Sequence, residues 1–261
     1  MRSGEDGVIR TDEWLKKDLN QPILICKRLL NDFQEKHPEP IYEYLRNFGM
    51  YRPGISSQQQ FQKLQEIDVW NKIEKIYQKY KKKWDGPDLP IYIFPFNDQV
   101  KNPERSEAKA GVSFKDKMFL FLSPLNDEKE YEALFVHEYH HVCRIYQQKK
   151  SISDYTLLDS IVLEGLAEHM VEKYCGEEYI AKWCRYYSRD KLEDFWEEYI
   201  LKYKDSRKGE AIHERVLYGL GRLPVLLGYA AGYYIIENYK NENHFSTKAT
   251  FILPTESFID S

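Results

Sequence analysis

Residues 111–141 read GVSFKDKMFLFLSPLNDEKEYEALFVHEYHH. The stretch changes period part-way. Gly111-Val-Ser-Phe114 and Met118-Phe-Leu-Phe-Leu122 are short apolar runs on either side of Lys115-Asp-Lys117, the pattern of two strands joined by a tight turn. From about Asn126 to Gln148 the pattern is helical, with Leu134, Phe135, Val142 and Ile145 available for a core. Inside that helix stands His137-Glu-Tyr-His-His141. Four residues turn a helix through about 400°, so His137 and His141 share a face one turn apart, and Glu138 stands about 100° to the side. Two imidazoles so placed can bind one zinc ion. A carboxylate beside them suits a general base acting on a metal-activated water.

Working outward, residues 12 to 84 read as helices. Trp14, Leu15, Leu19, Ile23, Cys26, Leu29 and Leu30 recur at near-helical spacing, and so do Phe61, Leu64, Ile67, Trp70, Ile73, Ile76 and Tyr77. His37-Pro-Glu-Pro40 and Tyr51-Arg-Pro-Gly54 read as breakers between them, and Lys81-Lys-Lys83 as a solvated carboxy-terminal run. Asp85-Gly-Pro-Asp-Leu-Pro90 is a turn, and Ile91 to Phe96 reads as a strand. After the motif, helices are expected over about Tyr155–Tyr174, Tyr179–Tyr203 and Pro224–Asn238. The order is helices, a few strands, then helices, which predicts a mainly helical α+β fold with a small sheet. The chain divides on this reading into a helical amino-terminal region, 1–86, and a catalytic region, 87–261, together one compact unit.

The remaining composition narrows the function classes. With 261 residues there is enough chain for a substantial core, and a net charge of −4 gives no electrostatic case for nucleic acid. The four cysteines, Cys26, Cys143, Cys175 and Cys184, form no CxxC pair and read as reduced, buried thiols. The amino terminus lacks the apolar core of a secretory leader, so a cytoplasmic location is expected. Val216 to Ile236 approaches the length of a membrane span, but it contains Arg222, Gly219, Gly221 and Pro224. It is expected to be a buried helix restarting near Pro224, with no insertion into a membrane.

A catalytic zinc ion normally has three protein ligands and an open position. The next helix offers Glu164-Gly-Leu-Ala-Glu168, whose two glutamates lie on one face. Glu164 is the expected third ligand, and Glu168 the residue that hydrogen-bonds the far nitrogen of a ligand histidine and fixes its tautomer. Gly165 and Ala167 would let this helix come close to the motif helix. His169 is the rival third ligand. His140, at an interior position of the motif, is expected to pack or to support a ligand.

His137-Glu-x-x-His141 followed by Glu164 and Glu168 resembles the gluzincin pattern of zinc metallopeptidases. More closely, the chain resembles the YjaZ-like family of predicted zinc-dependent proteases. That likeness is carried by Val8-Ile-Arg-Thr-Asp-Glu-Trp-Leu15, by Gly111–Phe114 with Phe119-Leu-Phe-Leu-Ser-Pro124, and by Leu223-Pro-Val-Leu-Leu-Gly-Tyr-Ala-Ala-Gly-Tyr233. The resemblance implies a small twisted sheet beside the motif helix and a helical carboxy-terminal lobe. It also implies an edge strand that binds extended substrate, for which Gly111, Val112, Ser113 and Phe114 are the candidates. A donor to the developing oxyanion is implied as well, with Tyr229, Tyr233 and His213 as candidates and Tyr229 favoured over Tyr233. The function expected is a metallopeptidase with one Zn²⁺ per chain and a peptide or protein substrate. A weakly active or inactive binding or regulatory protein on the same scaffold is the alternative.

Overall fold

The computed structural model describes residues 6–97 and 109–259. Of the amino-terminal stretch read for a leader, only Asp6 falls among them. Helices α1 (Thr11–Asp18), α2 (Pro22–Lys27), α3 (Leu30–Phe33), α4 (Pro38–Phe48), α5 (Ile55–Glu66) and α6 (Val69–Trp84) lie between strand β1 (Gly7–Val8) and strand β2 (Pro90–Pro95). Strands β3 (Lys109–Ser113) and β4 (Met118–Leu122) follow. Then come α7 (Lys129–Gln148), α8 (Leu157–Cys175), α9 (Arg189–Phe195), α10 (Leu201–Tyr203), α11 (Ala211–Tyr218), α12 (Leu227–Glu242) and α13 (Thr247–Ile252). The protein is thus mainly helical with one small sheet, the α+β class expected from the order of patterns. The chain forms two compact units, Met1–Glu138 and Tyr139–Ser261, and the division falls inside α7.

In the first unit the strand order is β1-β2-β4-β3. β1 runs parallel to β2 and β2 parallel to β4, whereas β3 is antiparallel to β4, with Val112 opposite Phe119. β4 is buried along its whole length and β2 almost so. Strands covered on both faces need unbroken apolar runs, which is why Met118–Leu122 and Ile91–Phe94 show no alternation. β3 closes the order, and among the described residues its outer edge pairs with no other strand. The Lys115–Lys117 turn closes the hairpin, with Phe114 N–H donating to Lys117 O at 2.9 Å. α6 packs on the start of α7: Tyr77 and Tyr80 meet Phe135 at 6.3 and 6.2 Å between ring centroids.

In the second unit α8 and α12 cross at very close range. A Cβ added at Gly165 would fall 2.1 Å from Gly232 O, and one added at Gly232 would fall 2.2 Å from Ile161 O. Only glycine at both positions permits this approach. Gly165, expected to let α8 approach the motif helix, packs on α12 instead. The segment from Val216 to Ile236 is broken between α11 and α12 by a turn that places Leu226 at φ 53°. No described helix is long and apolar enough to cross a membrane. The four cysteines form no disulfide, and all are buried.

Several local expectations need correction. β1 has two residues, too short to carry an alternating pattern, and it lies where no strand was expected. Pro38 and Pro40 do not break a helix but sit in the first turn of α4, where a missing N–H costs nothing. The helix expected over 179–203 is divided into short turns, α9, a π-helical turn at Trp196–Ile200 and α10. Its start fails because Ala181 is extended, and its N–H goes to the Glu168 carboxylate at 2.7 Å rather than to a helical carbonyl. α12 starts at Leu227, three residues after Pro224.

Candidate metal centre

α7 carries the motif, and each half of the helix is fixed differently. In the first half Glu132 accepts from Lys79 Nζ at 2.6 Å, Tyr80 Oη at 2.7 Å and Lys129 Nζ at 2.8 Å. Burial alone would raise its pKa, but these hydrogen bonds outweigh burial and pull it down from 4.5 to about 2. In the second half, residues 140, 144 and 148 form one face, each a turn apart, and all three bind the stretch 250–255. Arg144 donates to Thr250 O at 2.6 Å, Leu253 O at 3.1 Å and Thr255 Oγ1 at 3.3 Å. His140 Nε2 lies 3.0 Å from Thr250 Oγ1, whose own proton goes to Thr247 O at 2.7 Å. The His140 ring is therefore the donor, packed against Phe251 at 5.1 Å between centroids. It belongs to the fixing of α7, the packed role expected for it.

α7 also bears His137 and His141, one turn apart. Glu164 reaches the same place from α8, whose first turn is set by a capping box in which Thr156 Oγ1 accepts from Asp159 N and the Asp159 carboxylate accepts from Thr156 N. One ligand atom from each of His137, His141 and Glu164 lies within 4.8 Å of the other two. His141 Nε2 and Glu164 Oε2 are 3.5 Å apart. Two ligands about 2.1 Å from a tetrahedral zinc ion stand about 3.4 Å from each other. The pair is therefore already spaced as two ligands of one ion. Two imidazoles and one carboxylate also form a donor set that suits zinc and leaves a coordination position open. Among the described residues this is the one cluster of three such side chains close enough to share an ion.

Glu138 sits at the end of the first unit and is 7% exposed. β3 lies directly against it. A Cβ added at Gly111 would fall 2.5 Å from Glu138 Cγ and Cδ, so the carboxylate side chain occupies the space that any other residue at 111 would need. Ser113, on the same face of the strand by the two-residue repeat, places its Oγ 2.6 Å from Glu138 Oε2 and 2.9 Å from Glu138 O. Val112 and Phe114 alternate to the opposite face. Phe114 joins an aromatic group there with Phe33 and Phe119, at 5.7 and 6.1 Å between centroids, and Lys117 Nζ lies 4.5 Å from its ring. The link from Ser113 to Glu138 crosses 25 residues from a strand to a helix, and no local pattern could have shown it.

The other expected residues distribute as follows. Glu168 is 4% exposed, and its Oε2 accepts from Ala181 N at 2.7 Å. His169, the rival ligand, has Nε2 at 3.0 Å from Tyr233 O and Nδ1 at 3.1 Å from Glu172 Oε2. Both ring nitrogens face acceptors, and the His169 ring lies flat on Tyr233 at 4.2 Å. Burial, followed by the charges of Glu172 and other neighbours, pushes the Tyr233 hydroxyl well above its ordinary pKa. Tyr229 is held edge-on by Trp183 at 5.2 Å between centroids. His213 is fully buried with Nε2 3.0 Å from Ser160 Oγ, inside the α8–α11 packing.

Comparison with known proteins bears on the same residues. Residues 69–260 match the family described as "Predicted Zn-dependent protease (DUF2268)". The chain belongs to this family. The matched region covers all of α7 and α8, and with them His137, Glu138, His141 and Glu164. The "Uncharacterized protein YjaZ" of Bacillus subtilis (strain 168) is 35% identical to the chain, across 97% of this chain and 98% of that protein. No solved structure matches. Zinc dependence is what the family's description implies, and the His137, His141 and Glu164 cluster is a place in this member where an ion can be held.

Proposed function

We propose that the chain is a zinc-dependent peptidase of the gluzincin type that holds one Zn²⁺ on His137, His141 and Glu164 and uses Glu138 as general base. The observation that carries this reading is the position of Glu138. It adjoins His137 on α7, takes no part in the three-residue cluster, and is held by β3. A purely structural zinc site has no use for such a carboxylate. Zinc bound there would supply a water of near-neutral pKa and positive charge beside the scissile carbonyl.

The chain's own residues do the rest. The outer edge of β3 from Gly111, with Phe114 just after the strand, pairs with an extended peptide through main-chain hydrogen bonds and lays the scissile bond beside Glu138. Glu138 takes the proton from the attacking water and passes it to the leaving amine nitrogen. Tyr229 donates to the carbonyl oxygen as its charge develops; Tyr233, stacked on His169, and the enclosed His213 are less suited to move into that place. Glu168 orders the segment after α8 through Ala181 and supports the ligand helix from behind. The four reduced thiols favour a cytoplasmic location.

Glu138→Gln tests the reading, because it keeps the shape of the side chain and removes the base. Zinc content should be unchanged and cleavage of a peptide library should fall by a factor on the order of 10² or more. Full cleavage by the variant contradicts the assignment of the base. Stoichiometric zinc with no cleavage of any peptide by the unaltered protein would make it a binding or regulatory protein on this scaffold.

A further inference from the structure

We infer that Ser113 is a positioning residue for Glu138: its hydroxyl, not its contact with substrate, makes it necessary for turnover. The inference rests on the reading of Glu138 as the base. Ser113 Oγ has one proton and two acceptors within reach, Glu138 Oε2 at 2.6 Å and Glu138 O at 2.9 Å. The main-chain carbonyl of a helical residue already accepts from the residue four positions on, and a carboxylate is the stronger acceptor, so the proton goes to Oε2. The short distance is that of a charge-assisted O–H···O bond.

Gly111 completes the arrangement. With no Cβ, it lets the Glu138 side chain lie against the strand, with Cγ and Cδ only 2.5 Å from where a Cβ would be. Gly111 sets how near the carboxylate comes to β3, and Ser113 sets where along β3 it stops. A glutamate has three rotatable bonds, and one that must accept a proton from a water at a fixed place gains from having them fixed beforehand. Holding one oxygen, Oε2, leaves Oε1 as the oxygen that takes up and releases the proton. The strand that pairs with the peptide backbone therefore also sets the base, so substrate register and base position are both fixed at Gly111–Ser113 of β3.

This role differs from substrate binding in what it moves. If Ser113 held the peptide, its loss would raise KM. If it positions Glu138, its loss lowers kcat and leaves KM and zinc content alone. Ser113→Ala should lower kcat by about 10- to 100-fold with KM within about twofold. Ser113→Thr, which keeps the oxygen on a strand that tolerates β-branching, should recover most of kcat. A crystal structure of Ser113→Ala should show the Glu138 carboxylate moved from its place against Gly111, a result read independently of turnover. Wild-type kcat in Ser113→Ala, a rise in KM alone, or an unmoved Glu138 overturns the inference. Glu138→Gln measured alongside separates the two levels: if it is inactive while Ser113→Ala is not, only the role of Ser113 falls; if it is fully active, the reading of the base falls and the role of Ser113 with it.

Discussion

At the scale of single residues, the chemistry is legible in the sequence because helical geometry is local. Two histidines four apart must share a face of α7, and Glu164 and Glu168 must share a face of α8, whatever surrounds them. What a sequence cannot carry is which partner each side chain meets across the fold. The family resemblance makes Ser113 a candidate for a substrate-binding edge, and the structure adds that its hydroxyl meets Glu138; the small size of Gly165 suggests a close approach to α7, yet it meets Gly232. Both depend on contacts between elements far apart in the chain. Gly111 supplies the residue-scale prediction. Its backbone is not in the left-handed region, so Gly111→Ala should fold normally, and the added methyl acts only by displacing Glu138. Peptide turnover should fall about tenfold or more while the melting temperature changes by no more than about 2 °C. Unchanged turnover would mean that Glu138 can yield without loss of function.

At the scale of elements, α7 has two lives. Its first two turns belong to the sheet-bearing unit, where Glu132 and Phe135 tie it to α6; its last two belong to the helical unit, where His140, Arg144 and Gln148 tie it to residues 250–255. The helix itself, the hairpin before it and β2 are all predicted within a few residues, because each is a long or sharply bounded apolar pattern. The region 179–203 is not. There, tertiary hydrogen bonds such as Ala181 to Glu168 override a plausible helical period. Arg144 is the element-scale test. Burial lowers its pKa to about 10, and it reaches three acceptors. Arg144→Met keeps the bulk but leaves two main-chain carbonyls and a hydroxyl without that donor. It should cost about 2–4 kcal/mol in urea unfolding, well above a surface substitution. An unchanged midpoint would show that residues 250–255 do not anchor α7.

At the scale of the whole molecule, the class of fold follows from the order of patterns along 261 residues, and the family match over 69–260 takes in every residue of the candidate centre. The sheet order β1-β2-β4-β3 is beyond reach of such patterns, since it depends on pairing Gly7–Val8 with a strand more than 80 residues away. The order makes β3 the edge, with Gly111 and Ser113 against Glu138, which is where the proposed function needs it. The proposed function rests on one ion per chain. The measurement that reaches it most directly is zinc content of the purified protein and of Glu164→Ala, by elemental analysis after dialysis against a weak chelator. One zinc per chain is expected in the unaltered protein and at least a tenfold loss in the variant. A protein without stoichiometric zinc, or a variant that keeps its full complement, would contradict it.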